Sequence, residues 1–356
     1  MLVIDKAGAR TRITTRWASL QGLAWSPRGD EVWFGGVREG GLLGVQAATL
    51  AGRERTVLQT GSRLVVKDID PAGRLLLDSG TSRIGVRYAR NGEPERDLSW
   101  LDITGIVQLT PDGRLALLYE SGDGGGPDYA IYLRPTDGSP PARLGTGRPT
   151  ALSADGQWVL AIPIRDPSHI DLIPTGAGQR RVLKHDGFVR YDWAGFLGDA
   201  RHVLFTAMRK NSDRWEAFVQ DLDGGAPPRG IGSFTLRRNT LSPDGRKLVK
   251  PCSAMSCVLD LQTGEEKPID GVGAGAPLFW DVDGRHLFIR DPKPLPASLS
   301  RVDTVTGKRT PWRDLQPADA VGISGIAEIA GTPDGSAYAY SYSRRVSELF
   351  VVEGLR

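Results

Sequence analysis

The sequence predicts an all-β propeller of about eight four-stranded blades. Three observations predict it: a phrase recurring at near-constant intervals, the turn chemistry inside that phrase, and short apolar runs on both sides of it. The phrase reads WSPRGDEVW from Trp25, IDPAGRLLL from Ile69, LTPDGRLAL from Leu109 and LSADGQWVL from Leu152. It returns as FLGDARHVL from Phe196, LSPDGRKLV from Leu241, WDVDGRHLF from Trp280 and GTPDGSAYA from Gly331. Its glycine falls at 29, 73, 113, 156, 245, 284 and 335, with Ala200 in its place in the fifth copy. The spacings of 44, 40, 43, 44, 45, 39 and 51 residues mark a repeat architecture.

The first element of each copy is a hairpin. In Ser242-Pro243-Asp244-Gly245 proline presets φ for the first corner of a type I turn. Asp244 tolerates the bridge region, and Gly245 takes the left-handed conformation that closes a bulged hairpin. Aliphatic, β-branched and aromatic residues flank the turn and form its two strands. A third strand follows, such as AIYLRPTDG from Ala130 or SCVLDLQTG from Ser256, then a polar turn and a shorter fourth strand such as ARLG from Ala142. Four short strands per copy, with turns every roughly 8–12 residues, make a propeller blade. Helical periodicity is nearly absent. In the fifth copy Ala200 carries a β-carbon where the other copies use glycine, which strains a left-handed turn.

Stacked repeats build one continuous body, so residues 1–356 are expected to form a single domain. Hydrophobic content of 40%, with 45 glycines and 24 prolines, suits many buried strands joined by tight turns. The net charge of +3 is a small excess without a basic tract, so nucleic acid is not an expected partner. No apolar run approaches the length of a membrane span, and the opening MLVIDKAGAR carries an acid and no apolar stretch, so neither membrane insertion nor a signal peptide is expected. LVIDKAG and TRITT, within residues 2–15, have the form of a third and fourth strand without a first and second. Either they complete the last blade, whose own copy stops after ELFVVEGLR, or they are left from a truncated upstream blade.

The SPDGR phrase resembles the TolB-type (WD-like) propeller repeat. GLAWSPRGDEVWF, ERDLSWLD, FVQDLDGG and the closing SYSRRVSELFVVEGLR are similar to the carboxy-terminal propeller of bacterial eukaryotic-like serine/threonine protein kinases. The resemblance runs over essentially the whole chain. It implies a non-catalytic sensor or protein-interaction module downstream of a kinase domain, which these residues do not contain. It also implies a bacterial protein, extracytoplasmic where a membrane span precedes the blades and cytoplasmic otherwise. Two alternatives are the accessory propeller of a prolyl-oligopeptidase-type serine peptidase and a free-standing TolB-like scaffold.

No catalytic constellation is expected. WRDLQPADA from Trp312 mimics the kinase catalytic loop, with Trp312 for histidine and Asp319 for asparagine, but no Gly-rich loop, strand lysine or DFG accompanies it. GVGAGA from Gly271 runs into the strand PLFWDV with no helix to receive a pyrophosphate. No GxSxG elbow occurs. His202 and His286 share one repeat position and read as strand-edge residues, while His169 and His185 fall in loops. No zinc spacing collects them, and GDGGGPD from Gly122 has too few carboxylates for calcium. No cofactor or metal is therefore expected. Cys252 and Cys257 flank a hairpin tip, where a local disulfide and two free thiols are both open.

Propellers commonly bind partners at the channel rim, on loops joining the fourth strand of one blade to the first of the next. Here those loops gather Arg16, Trp17, Arg148, Arg190, Tyr191, Trp193, Arg237 and Arg238. Arginine beside aromatics suits a carboxylate, phosphate or peptide. The expected partner is thus a protein or small anionic ligand at a rim of Trp17, Arg148, Arg190, Tyr191, Arg237 and Arg238, and the chain is expected to be a monomer.

Overall fold

The computed structural model describes residues 1–14, 17–38, 43–60, 63–198, 201–223, 226–236, 241–253 and 255–355, and all their regular structure is strand. Ala200 lies outside them. The chain packs as two compact units, residues 1–82 with 345–356 and residues 83–344, where the repeat predicts one body.

In the first unit, β1 (Leu2–Ile4) and β2 (Arg10–Arg12) form a hairpin of their own. β3 (Ser19–Trp25), β4 (Glu31–Val37), β5 (Gly44–Thr49) and β6 (Glu54–Gln59) form an antiparallel meander. β7 (Leu64–Ile69) touches β3 through one parallel pair and turns back into β8 (Leu75–Arg90). A core of Trp33, Val45, Leu64, Leu75 and Leu77 lies between the two sheets. The hairpin buries Met1 and Val3 against Ile13, Val32 and Phe34, so apolar burial holds the N-terminal strands here and they do not complete the last blade.

The second unit is a propeller. After β9 (Arg96–Asp97) come three four-stranded sheets: β10 (Thr104–Leu109), β11 (Leu115–Glu120), β12 (Ala130–Pro135) and β13 (Ala142–Thr146); β14 (Arg148–Leu152), β15 (Trp158–Ile162), β16 (Ile170–Pro174) and β17 (Arg181–Leu183); and β18 (Phe188–Phe196), β19 (His202–Arg209), β20 (Trp215–Asp221) and β21 (Arg229–Gly232). The next sheet has β22 (Lys247–Cys252), β23 (Met255–Asp260) and β24 (Glu266–Pro268), with a bridge from Leu241 to Leu248 in the first-strand place. β25 (Ala276–Trp280), β26 (His286–Arg290), β27 (Ala297–Asp303) and β28 (Arg309–Leu315) make the fifth. The sixth combines β29 (Ile323–Gly331) and β30 (Ala337–Val352) with the second half of β8 and with β9. Apolar cores fill every interface between neighbours around this ring, including the one between last and first, where Ala330 and Ala339 meet Ile106 and Leu118.

Copies three to eight therefore make a ring of six blade sheets among the described residues, and the expected ring of eight is not formed. The physical reason lies in two connections. Elsewhere the second and third strands are joined through residues that bend the chain, with positive φ at Tyr129 (57°), Asn211 (64°) and Ser253 (50°). In the eighth copy Ser341-Tyr342-Ser343-Arg344-Arg345 holds no glycine, proline, asparagine or aspartate, so β30 runs straight for 16 residues. β8 also runs on for 16 residues, although Asp78 and Gly80 lie within it, and pairs with β30. The second and eighth copies thus exchange third strands, and residues 83–90 close the ring from its N-terminal side.

Four blades of the ring share a side-chain clasp at the head of the turn. The Thr110 hydroxyl donates to Asp112 (2.6 Å) and accepts from the Leu115 N–H (3.0 Å), while Asp112 accepts from the Arg114 N–H (3.0 Å). Ser153, Ser242 and Thr332 repeat the arrangement with Asp155, Asp244 and Asp334. Gly245, at φ 67°, brings its N–H onto the Ser242 carbonyl.

Glu120 is fully buried at the end of β11. Its carboxylate accepts from the Thr104 hydroxyl and the Leu101 N–H, and its other oxygen has no partner among the described residues. Burial raises its pKa above the ordinary value, the hydrogen bonds opposing. A raised folded pKa contributes stability that is complete below the unfolded value and is lost as pH rises through the folded one. The stability of wild type relative to Glu120→Gln should therefore fall between mildly acidic and neutral pH. Chemical denaturation at both pH values checks this, and a pH-independent difference would contradict it.

Cys252 and Cys257 are disulfide-bonded across the β22–β23 tip, with Cα atoms 5.8 Å apart. Closing so short a loop contributes about 2 kcal/mol by chain entropy. Cys252→Ser with Cys257→Ser should lose about that much in denaturant titration. Dithiothreitol should reproduce the loss in wild type and add nothing in the variant.

Candidate functional site

In the second unit five first strands run side by side among the described residues, β29 beside β10, β10 beside β14, β14 beside β18, and β25 beside β29. They end at the clasped turns, where Pro111, Ala154, Gly198, Pro243, Val282 and Pro333 ring a cavity of about 390 Å³. The phrase thus delivers a small or apolar residue to this mouth once per blade.

Hydrogen bonds between neighbouring blades fix its walls. The Gln108 amide donates to the Leu152 carbonyl (3.2 Å) and accepts from the Leu152 N–H (3.0 Å). The Val282 N–H donates to the Pro333 carbonyl (2.8 Å). Phe196, Trp193, Phe279 and Trp280 provide aromatic surface. Gly331 lies against the Phe279 ring, where a β-carbon would stand 2.1 Å from it. Among the described residues the lining has no charged side chain. Its polar members are Gln108, Thr150 and Ser242 beside the indoles, and the Trp193 Nε1 is buried without a hydrogen-bond partner among the described residues.

Among the described residues Asp112, Asp155, Asp244, Asp283 and Asp334 stand one residue beyond the lining and are turned back into their own turns. The Thr110 hydroxyl and the Arg114 N–H hold Asp112 below the usual range. Burial works against Asp283, but the N–H groups of His286 and Arg285 and the His286 ring outweigh it and bring its pKa down to about 2. The mouth therefore offers apolar contact and a few hydrogen bonds, the usual equipment of a site that binds by shape.

The expected rim lies at the opposite ends of these strands. Arg148, at the start of β14, donates to the Asp192 carbonyl and lies 3.3 Å from its carboxylate, which ties two blades together. Arg190 is exposed above the Trp215 ring at 5.9 Å. Tyr191 is buried, its hydroxyl accepting from the His185 N–H (3.2 Å), and burial pushes its pKa up to about 12. Trp17 belongs to the first unit, edge-on to Phe34 at 5.1 Å and under Arg38 at 4.3 Å. Arg16, Arg237 and Arg238 lie outside the described residues.

Trp312 to Leu315 of the kinase-like phrase lie in β28, and Asp319 binds Arg344. GVGAGA leads into β25. His286 bonds Asp283 at 2.6 Å on the edge of β26, and His169 lies 3.4 Å from Asp171. The mouth was the missed feature. Its signal in the sequence is the proline, small or apolar residue two places before the repeated glycine.

No protein-family model and no curated protein matches the sequence. Among solved structures the chain is similar to TolB from Acinetobacter baumannii, at 14% identity and a TM-score of 0.44, covering 94% of this chain and 68% of that one. A protein assigned as TolB from Agrobacterium tumefaciens is 20% identical with a TM-score of 0.41, covering 83% of this chain and 94% of that one. A chain of a nidogen/laminin complex is 17% identical with a TM-score of 0.45, covering 67% and 95%.

Proposed function

We propose that the chain is a non-catalytic β-propeller that serves as a protein-interaction module, taking an apolar segment of a protein partner at the mouth formed by its clasped turns. The uncharged, aromatic-lined cavity at that mouth carries the reading. Apolar contact with few polar anchors favours an extended peptide with bulky side chains over an anionic ligand, which would lose hydration there without a cation in return. The sequence resemblance to kinase-associated propellers supports a sensor role in a bacterial serine/threonine kinase, with the partner as its input.

Val282 is 63% exposed and lines the mouth, so it can be changed with little cost to folding. Peptides selected by display on residues 1–356 should be apolar and aromatic. Val282→Asp should weaken them roughly tenfold or more, while thermal stability stays within about 0.5 kcal/mol. Selection of acidic peptides sensitive to Arg190→Ala would return the site to the arginine rim. Phosphotransfer or peptidase activity by the purified chain would refute the non-catalytic reading.

A further inference from the structure

We infer that the first unit carries a self-association edge, and that two copies of the chain pair antiparallel along β30 beyond Arg344. β29 covers that edge only as far as Arg344, which stands opposite Ile323. From Arg345 to Val352 the strand has β8 on one side. Among the described residues no turn or loop bonds to its backbone there. In the regular sheets a fourth strand occupies the corresponding side of the third, as β6 does on β5, β13 on β12 and β28 on β27.

Side-chain burial gives the same contrast. Third strands such as β12 and β16 are buried almost throughout, whereas residues 345–351 of β30 are exposed. Val346, Leu349, Phe350 and Val351 are 47, 67, 45 and 62% exposed. A long apolar edge without proline or bulge is a template for another strand.

The charges at its ends select the occupant. A two-fold axis perpendicular to the sheet must centre an antiparallel ladder on one residue, because opposed side chains share a face and the side-chain period is two. Centred on Leu349, the ladder sets Val346 opposite Val352, Ser347 opposite Val351, and Arg345 opposite Glu353 at both ends. Centred on Glu348 it opposes two carboxylates, and centred on Phe350 it leaves Arg345 and Glu353 without each other. Cross-strand opposite charges favour the Leu349 register and like charges disfavour the first alternative. Arg345 is half exposed, and its ion pair with Asp78 is long at 3.8 Å, Lys67 holding the same carboxylate more closely at 3.2 Å. The monomer expected from the sequence gives way to a dimer with a strand ladder through Leu349.

Sedimentation velocity on residues 1–356 across micromolar concentrations should show a concentration-dependent dimer. Leu349→Lys puts two ammonium groups face to face on the axis and should abolish it, with the monomer's melting temperature unchanged because that side chain is exposed. Arg345→Glu and Glu353→Arg should each weaken the dimer roughly tenfold, and the double variant should restore it. A monomer at every concentration would overturn the inference and leave the edge to a different protein's strand. Dimerisation indifferent to Leu349→Lys, or a double variant no better than the singles, would overturn it equally.

Discussion

The side-chain clasp at the head of the hairpins that carry Thr110, Ser153, Ser242 and Thr332 is the interaction on which the rest depends. A serine or threonine hydroxyl satisfies both a turn carboxylate and the first N–H of the returning strand, so three groups that would otherwise need water are paired within one turn. That fixes where the second strand starts, and a strand's starting point fixes which side chains face the neighbouring blade. Without it, alternation such as that of Leu115 to Glu120 would not meet the next sheet in register. Asp70 and Asp281 stand where the hydroxyl is absent and accept earlier N–H groups of their turns, Asp70 from Ala72 and Arg74 and Asp281 from Asp283.

Register then decides packing. A single blade cannot bury both of its faces, and each core in the second unit is shared between two sheets. Tyr340, Leu299 and Ile329 meet between the fifth and sixth, and Leu117, Val159 and Ala161 between the first and second. Such a ring gains its stability only on closing, and the closing strand comes from residues 83–90, far from the eighth copy in sequence. The exchange that brings it leaves the end of β30 in the first unit with one strand neighbour instead of two. Ring closure and the exposed edge are two consequences of the same missing turn.

The mouth and the rim differ in physical character because they lie at opposite ends of the same strands. Clasped turns consume their own polar groups, so what they present to the channel is Pro111, Pro243, Val282 and Pro333. The connections at the other end carry charge, and Arg148 there pairs with the Asp192 carboxylate of the adjoining blade. A count of arginines in those loops therefore overstates the positive surface offered to a ligand.

The blade, its turn and its order of strands were legible in the sequence because they rest on contacts within about 45 residues: a hydroxyl and a carboxylate two places apart, a glycine at the left-handed position, alternation on either side. The kinase-like and dinucleotide-like phrases were legible as strand and loop for the same reason, since neighbouring residues fix Trp312 to Leu315 in β28 and lead GVGAGA into β25. The number of blades in the ring was not legible. It depends on both β30 and β8 running on, and in β8 the aspartate and glycine at 78 and 80 read locally as a turn, which pairing with β30 and burial of Ala89 against Tyr338, Tyr340 and Tyr342 override. The site was not legible either, because a cavity exists only when six turns separated by hundreds of residues are brought to one ring. Local chemistry wrote the blades, and long-range burial decided which of them close on one another.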